Sequence, residues 1–270
     1  MEFIKLNNGT LMPKIGFGTV GINDAEGEKI IISAIQTGYR LIDTAQMYNN
    51  EVCVGNAIKN CDIPRKELFI TTKLNEPNNS YEKAKQGIER SLNALQLEYV
   101  DLFLIHEPYS NSLEMYKALT EAYEEGKIKA IGISNFNQRR YREFLNQCKI
   151  IPAVNQIESN VFFPQLELVK VLKDNGTVAQ AWSPFAGGKR DVKNNVTLKI
   201  LAEKYNKTPN QIALRYLIQN GICAVPKTHT VERMKENLDV FDFELSQVDM
   251  EIIKTLDTKK SACDWTKEWE

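Results

Sequence analysis

The sequence predicts an α/β protein, a (β/α)8 TIM barrel, from three observations. Eight short apolar runs recur along the 270 residues, and amphipathic helical patterns separate most of them. Strands that alternate with helices are typical of a parallel sheet, and short apolar runs suit strands that are covered on both faces. The chain length is normal for eight such units and long for one ordinary domain. We therefore expect a single barrel domain over residues 1–270.

A β-hairpin is expected before the barrel, because two short extended runs flank Asn8-Gly9, a dipeptide typical of tight hairpin turns. The barrel strands are then predicted at the apolar runs, which are residues 15–18, 39–42, 69–72, 100–105, 129–134, 153–156, 178–181 and 222–226.

Helices are predicted between the strands from apolar residues at helical spacing and from capping residues. Ser80, Thr208 before Pro209, and Ser246 with Asp249 are typical helix starts. The gap between the seventh and eighth strands holds two helical patterns, so one is an extra helix. A late helix and a tail follow the barrel. The predicted helices with clear bounds are residues 25–36, 80–95, 113–125, 138–148, 165–174, 209–220 and 246–256.

The stretch KIGFGTVGIN, residues 14–23, contains G-x-G-x-x-G, and Asp43 follows about twenty positions later. This pattern is typical of a doubly wound dinucleotide-binding domain. Such a turn requires a helix that starts inside the motif, with its N-terminus at the pyrophosphate. Here the helical periodicity begins only near Ala25, so we interpret the glycines as a strand and loop at the barrel rim. A Rossmann dehydrogenase stays an alternative that the eight strand runs disfavour.

Composition disfavours several classes of partner. The net charge is -1 and no basic run occurs, so neither nucleic acid nor an anionic membrane is the expected partner. No signal-like segment and no run of eighteen apolar residues occurs, which favours a cytoplasmic protein. The only histidines, His106 and His229, lie far apart, so we expect no metal site. The cysteines are odd in number and read as free thiols, at Cys53, Cys61, Cys148, Cys223 and Cys263.

Polar, ionisable or aromatic side chains follow every predicted strand from the second onward. In a barrel of this kind the carboxyl ends of the strands carry the chemistry, so we expect these residues to meet at one rim. They are Asp43 with Tyr48, Lys73, His106, Ser134-Asn135, Gln156, Trp182-Ser183-Pro184 and Lys227-Thr228.

Four of these residues are suited to donating a proton to a carbonyl oxygen. A tyrosine hydroxyl titrates near ~10, and a nearby ammonium favours the phenolate, so Lys73 is expected to lower the pKa of Tyr48. Asp43 can hold Lys73 in place and charged, and a neutral His106 can orient the carbonyl. No nucleophile with its base is evident, which argues against a hydrolase. Because side chains do not deliver hydride, the reductant must be a cofactor.

These residues stand in motifs that resemble the aldo-keto reductases, of bacterial type, in order along residues 3 to 257. The motifs are IGFGT, LIDTAxxYxNE, FITTK, DLFLIH, GISNF, the strand of Gln156, WSPFAGG, VPKTHTVERMKEN and FELSQVDMEIIKTLD. The resemblance implies an enzyme that transfers hydride from NADPH to an aldehyde or ketone, giving an alcohol. It implies Tyr48 as proton donor, Lys73 and Asp43 as its tuning partners, and His106 as the substrate-orienting group.

The resemblance also implies a cofactor site along the rim, with Ser134, Asn135 and Gln156 at the nicotinamide amide. Trp182 would stack beneath the ring, where Tyr or Phe is more usual, and the loop over residues 183–188 would cover the pyrophosphate. Because a phosphate needs cationic partners, Lys227 and Arg233 favour NADPH over NADH, which stays possible. The implied cofactor-binding residues are Gly18, Thr19, Ser134, Asn135, Gln156, Trp182, Ser183, Pro184, Phe185, Lys227, Thr228, Arg233, Glu236 and Asn237.

The expected substrate pocket departs from the familiar reductases. Val20 and Glu107 stand where aromatic residues are frequent, so the pocket of Val20, Tyr48, His106 and Glu107 is expected to be less aromatic and more acidic. We hypothesise that Glu107 disfavours carboxylate-bearing substrates, although it can equally point into solvent. The tail with Trp265 and Trp269 either covers the pocket or packs on the barrel.

The resemblance implies a monomer. Some barrels of this kind are nicotinamide-binding regulatory subunits with little turnover, and that function stays an alternative to catalysis.

Overall fold

The computed structural model describes residues 1–263, and they form ten strands and ten α-helices. The predicted role of Trp265 and Trp269 lies outside the described residues. The strands are β1 (Phe3–Lys5), β2 (Leu11–Pro13), β3 (Phe17–Gly18), β4 (Leu41–Asp43), β5 (Phe69–Leu74), β6 (Leu102–Ile105), β7 (Ile131–Ser134), β8 (Val154–Glu158), β9 (Val178–Trp182) and β10 (Ile222–Ala224).

The helices alternate with the strands from β3 onward. They are α1 (Asp24–Thr37), α2 (Glu51–Asn60), α3 (Tyr81–Leu95), α4 (Ser112–Glu124), α5 (Gln138–Leu145), α6 (Leu166–Asp174), α7 (Val196–Tyr205), α8 (Pro209–Gln219), α9 (Val231–Leu238) and α10 (Gln247–Lys254). Among residues 1–263, no helix is both long and apolar enough to cross a membrane.

The eight strands β3 to β10 pair in parallel in chain order, as a barrel requires. Its first and last strands meet, since the backbone N–H of Gly16 donates to Ala224 O at 2.8 Å and that of Gly18 to Pro226 O at 3.1 Å. The antiparallel pair β1 and β2 forms the hairpin before the barrel. The predicted (β/α)8 fold is therefore confirmed, with α7 as the extra helix before β10.

The apolar interior has two parts. The larger cluster fills the space between the strands and the surrounding helices. The smaller cluster lies inside the barrel, because Leu41 shares a strand face with Asp43, and Val154 with Gln156. The hairpin contributes Leu6 and fully buried Met12 to this inner cluster. The polar site at the strand ends thus rests on an apolar layer.

The G-x-G-x-x-G stretch is a strand and loop, as predicted. Its helix α1 begins at Asp24, after the motif, so no helix N-terminus lies inside the glycines. A Cβ at Gly18 would lie 2.8 Å from the backbone oxygen of Val225, where the barrel closes. Glycine is needed at this position because the first and last strands approach closely there, and Gly18 also lines the cavity at the rim.

The capping predictions agree with the structure. Ser80, Thr208 and Ser246 are the N-cap residues of α3, α8 and α10, and each side chain accepts a backbone N–H of its helix. Three helices, α2, α7 and α9, were not among the predicted ones with clear bounds, although α7 was expected as one of the two helical patterns before the last strand. In α9 only Met234 and Asn237 are buried, so the sequence lacks a wide apolar stripe there.

Candidate active site

A cavity of about 500 Å³ opens at the carboxyl ends of the barrel strands. Most of the residues predicted for the site line it, namely Gly18, Thr19, Val20, Asp43, Tyr48, His106, Ser134, Asn135, Gln156, Trp182, Ser183, Pro184, Phe185 and Lys227. These side chains come from the ends of seven strands, so the fold brings together groups that are up to 209 positions apart, from Gly18 to Lys227.

Tyr48 is held at the cavity by a short 3-10 turn, Gln46–Tyr48, directly after β4. The amide nitrogen of Gln46 donates to Gly87 O at 2.9 Å and to Ser91 Oγ at 2.8 Å, which fastens the turn to α3. Asn49 then adopts a left-handed conformation with φ 53°. The half-buried Tyr48 ring is therefore positioned by hydrogen bonds on both the turn and the neighbouring helix.

Lys73 and Asp43 form a buried ion pair beneath Tyr48. The ammonium Nζ lies 2.7 Å from Asp43 Oδ1, donates to Thr44 O at 2.9 Å, and lies 3.4 Å from the Tyr48 hydroxyl. Both side chains are essentially inaccessible, with 0% and 3% of their surface exposed. A buried charge requires such a partner, because an unpaired ammonium would be strongly disfavoured there. Although burial lowers the pKa of Lys73, Asp43 and Tyr48 raise it by more, so Lys73 stays charged.

The expected direction of the Tyr48 pKa is wrong for this structure. Burial disfavours the phenolate and is the largest influence, so the pKa of Tyr48 lies above its ordinary value. Lys73 lowers it, as predicted, but Asp43 partly cancels that effect by raising it. The prediction from the sequence took account of the Lys73 ammonium but not of the burial of the Tyr48 hydroxyl. As a consequence, Tyr48 holds its proton at neutral pH, as a proton donor must before it reacts.

His106 faces Tyr48 edge-on, with ring centroids 5.6 Å apart. Burial and the nearby Lys73 charge lower the pKa of His106 to about 3, so the ring is neutral, as the sequence predicted. Its Nδ1 is buried without a hydrogen-bond partner among the described residues. The backbone N–H of His106 donates to Leu74 O at 2.9 Å, which fixes its place at the end of β6. A neutral imidazole here can donate one hydrogen bond to a carbonyl oxygen.

The side chains of Ser134, Asn135 and Gln156, with the indole of Trp182, form one wall of the cavity, which we call the ledge. Ser134 Oγ donates to Gln156 O at 2.8 Å, and Asn135 Nδ2 donates to His106 O at 3.2 Å. The indole N–H of Trp182 donates to Asn135 Oδ1 at 2.7 Å, a bond that a phenylalanine could not make. Gln156 Nε2 donates to Asp43 Oδ2 at 2.7 Å and to Gln180 Oε1 at 2.6 Å. This wall is thus joined to the Lys73–Asp43 pair by direct hydrogen bonds.

Of the residues predicted to bind the adenosine end of the cofactor, which follow β10 in the chain, only one lines the cavity. Lys227 lines the cavity and is exposed, and Arg233 is exposed on α9. Thr228 and Asn237 are buried, and half-buried Glu236 accepts a hydrogen bond from Thr208 Oγ1 at 2.6 Å. Those last three residues and Arg233 do not line the cavity.

The predicted substrate wall is also only partly formed at the cavity. Val20 lines it and is 48% exposed, whereas half-buried Glu107 is not among the lining residues. The Glu107 charge nevertheless reaches the site, because it contributes to raising the pKa of Tyr48.

Three lining residues were not predicted, and each depends on long-range packing. Val225 follows β10, Lys189 follows the loop over residues 183–188, and Cys263 comes from the tail. The tail is fastened at Glu158, whose carboxylate accepts from the Ser261 hydroxyl and, at 2.9 Å, from the Ala262 N–H. Within residues 1–263, no three histidine, cysteine or acidic side chains lie together as metal ligands.

The sequence model of the Aldo/keto reductase family matches residues 14–258. The chain belongs to this family. It is 42% identical to the glyoxal reductase of Bacillus subtilis over 257 residues, which are 94% of this chain and 92% of that protein. The family predicted from the motifs is confirmed, and with it an oxidoreductase of the aldo-keto reductase type.

Solved structures of the family share the fold closely. MGS-M4, an aldo-keto reductase from a Medee basin deep-sea metagenome library, is 42% identical and superposes with a TM-score of 0.93, covering 95% of this chain and 96% of that one. A Bombyx mori aldo-keto reductase in complex with NADP is 32% identical with a TM-score of 0.92, covering 98% and 96%. The predicted NADP-type cofactor agrees with that complex.

Proposed function

We propose that the protein reduces the carbonyl group of an aldehyde or ketone to an alcohol with hydride from NADPH, and that Tyr48 donates the proton. The observation that carries this proposal is the stack of Asp43, Lys73 and Tyr48, in which a charged lysine lies 3.4 Å from a protonated phenol at the cavity wall. Neutral His106 beside this phenol supplies a hydrogen-bond donor for the substrate oxygen.

In the proposed reaction each residue has one task. His106 orients the carbonyl oxygen toward Tyr48, and the Tyr48 hydroxyl gives that oxygen its proton. The Lys73 ammonium then stabilises the phenolate that remains, since an opposite charge at this distance favours the ionised form. Asp43 keeps the ammonium charged and in place. When bound, the reduced nicotinamide supplies the hydride that reaches the carbonyl carbon.

The residues of the ledge fit a nicotinamide amide. Gln156 lines the cavity, and its Oε1 accepts no hydrogen bond from the described residues, so an acceptor is left for a bound group. Ser134 and Asn135 lie beside it, Trp182 offers its indole face, and Gly18 with Thr19 forms the opposite rim. We propose that Ser183, Pro184, Phe185 and the glycines after them cover the pyrophosphate.

The adenosine end of the cofactor is assigned to the arm after β10. Lys227 and Arg233 are exposed, and neither forms an ion pair with a residue of the described chain. Exposed cations without a carboxylate partner suit the 2′-phosphate, which favours NADPH over NADH. Thr228 is assigned to the same phosphate, and Glu236 and Asn237 to the adenine.

Small reactive carbonyl compounds are the proposed substrates. The likeness to a glyoxal reductase supports this class, and so does the exposed Val20, which leaves the cavity mouth without an aromatic cover at that point. The pocket is assigned to Val20, Tyr48, His106 and Glu107.

We also propose that the single domain over residues 1–270 acts as a cytoplasmic monomer without metal or nucleic acid. The five cysteines are free thiols, which suits a reducing compartment. Size-exclusion chromatography with light scattering would contradict the monomer if it gave a larger mass.

The deciding experiment mixes the protein with NADPH and a panel of aldehydes, ketones and dicarbonyls, and follows the absorbance of the reduced cofactor. Consumption that depends on the carbonyl compound supports the reductase. Tight NADPH binding without consumption for any carbonyl compound would contradict it and support the regulatory barrel instead.

A further inference from the structure

Gln180 is a fully buried amide inside the barrel that the reaction above does not use. It lies in β9 directly beside Gln156 of β8, and the two residues are paired in register. Side chains in register on neighbouring strands project to the same face, so both amides point into the barrel. A buried amide is costly unless its hydrogen bonds are satisfied.

The direction of the hydrogen bonds around Gln156 is fixed by Asp43. An ionised carboxylate accepts and cannot donate, so the Gln156 group 2.7 Å from Asp43 Oδ2 is its NH2. The same nitrogen donates its second proton to Gln180 Oε1 at 2.6 Å. Both N–H groups of Gln156 are therefore engaged within the barrel.

The orientation of Gln180 agrees with this pattern. Its own Nε2 lies 3.8 Å from the thioether sulfur of Met12, which is fully buried in the hairpin strand β2. A thioether is a weak acceptor and has no proton to donate, so it matches the NH2 side of an amide. Gln180 accordingly presents its oxygen to Gln156.

The outcome is that Gln156 faces the cavity only as an acceptor. We propose that Gln180 is a positioning residue that holds the second N–H of Gln156 and so presents Gln156 Oε1 to the cofactor ring, which makes the site select a ring substituent that donates N–H. This inference rests on the proposed function, because it takes the nicotinamide to lie against Gln156.

The test compares two dinucleotides that differ only at this substituent. NADP carries a carboxamide, whereas 3-acetylpyridine adenine dinucleotide phosphate carries a methyl ketone that has no N–H. Affinities are measured by quenching of protein fluorescence, so the readout does not depend on turnover. The wild-type protein is expected to prefer NADP, and Gln180→Met is expected to reduce that preference about fivefold, the ratio that one net hydrogen bond typically contributes.

Two further variants separate positioning from packing. Gln180→Glu has the same shape and, when protonated in this buried place, keeps an oxygen acceptor for Gln156, so it is expected to restore the preference. Leu104→Met changes an apolar residue of the same inner cluster and is expected to leave the preference unchanged. If Gln180→Met does not fold, Gln180→Asn replaces it, because its amide is too short to reach Gln156.

The outcomes distinguish this inference from the proposed function. Equal weakening of both dinucleotides by Gln180→Met, or no change in either, would overturn the inference even if aldehydes are reduced. A lost preference that Gln180→Glu restores supports it, even if no carbonyl compound is turned over. A wild-type protein that binds neither dinucleotide would overturn both.

Discussion

The two ends of the cavity are built in opposite ways. At the catalytic end Asp43, Lys73 and Gln156 are almost inaccessible to solvent and are joined to one another by hydrogen bonds of 2.7 Å. At the phosphate end Lys227 and Arg233 are exposed and form no ion pair with a described residue. The charged groups of the catalytic end are therefore paired with one another, whereas those of the phosphate end are exposed to solvent.

The difference indicates what each end contributes. Buried charges interact strongly and are screened little by salt, so the catalytic end can set protonation states and hold them. Exposed cations interact weakly until an anion binds, so the phosphate end can contribute to affinity without disturbing the chemistry. Changes at the first end should therefore alter rate and stability, and changes at the second should alter cofactor affinity alone.

The largest effect is expected from Tyr48→Phe, which removes the proposed proton donor and leaves the ring. The steady-state rate of aldehyde reduction should fall by about a hundredfold to ten-thousandfold, which is the usual contribution of general acid catalysis. Binding of NADPH should persist. Tyr116→Phe is the matched control, because it removes a hydroxyl that is buried in the core away from the cavity. A Tyr48→Phe enzyme that keeps substantial turnover would disprove the assigned role.

His106 gives the next effect, on stability against pH. The pKa of His106 is about 3 in the folded protein and near 6.5 when unfolded, so between these values only the unfolded chain binds the proton. Proton binding by the unfolded chain therefore lowers the free energy of unfolding as the pH falls from ~6.5 toward 3, by up to about 1.4 kcal/mol per pH unit. Above pH ~6.5 His106 is neutral in both states, and this loss is absent.

Urea unfolding of the cofactor-free protein from pH 7 to pH 4, beside His106→Asn, checks this expectation. The variant should lose less stability on acidification than the wild-type protein, since carboxylates titrate in both. Parallel losses in the two proteins would show that His106 is not held neutral.

At the phosphate end, Lys227→Ala combined with Arg233→Ala should raise KM for NADPH by about 10-fold to 100-fold, since two charge-assisted hydrogen bonds are lost. KM for NADH should change by about twofold or less, and kcat should not change. Lys235→Ala, which removes another exposed cation of α9, serves as the control. If KM rises equally for both cofactors, the phosphate does not bind at this arm.

The sequence predicted the barrel because its strands are short, apolar and evenly placed. It missed α2, because this helix has no side-chain cap and contains Gly55 at its centre. Gly55 is explained only by the fold, since a Cβ there would lie 2.5 Å from Leu95 O at the end of α3. Such an interhelical contact has no local signal in the sequence.

The site was predictable to the extent that its residues stand at strand ends. Gln180 stands inside the predicted strand over residues 178–181 and not at its end, and its partner Gln156 is 24 positions away. Cys263 reaches the cavity through contacts of the tail with distant residues, among them Glu158 and Arg190. The Tyr48 pKa was predicted with the wrong sign because desolvation depends on everything that surrounds the ring. These features depend on three-dimensional neighbours and not on spacing.

The smallest effect is expected from Glu107→Gln, at a half-buried position that does not line the cavity. The Glu107 charge still raises the pKa of Tyr48. We therefore expect the same charge to repel the carboxylate of a substrate that is bound beside Tyr48. The ratio of kcat/KM for a neutral aldehyde over a ketoacid should fall by about twofold to fivefold in the variant, as for one partly screened charge pair. Glu114→Gln, at an exposed glutamate in the first turn of α4, controls for the loss of net charge. An unchanged ratio would mean that Glu107 faces solvent, and the acidic character of the pocket would then have to come from Asp43 alone, which Lys73 already neutralises.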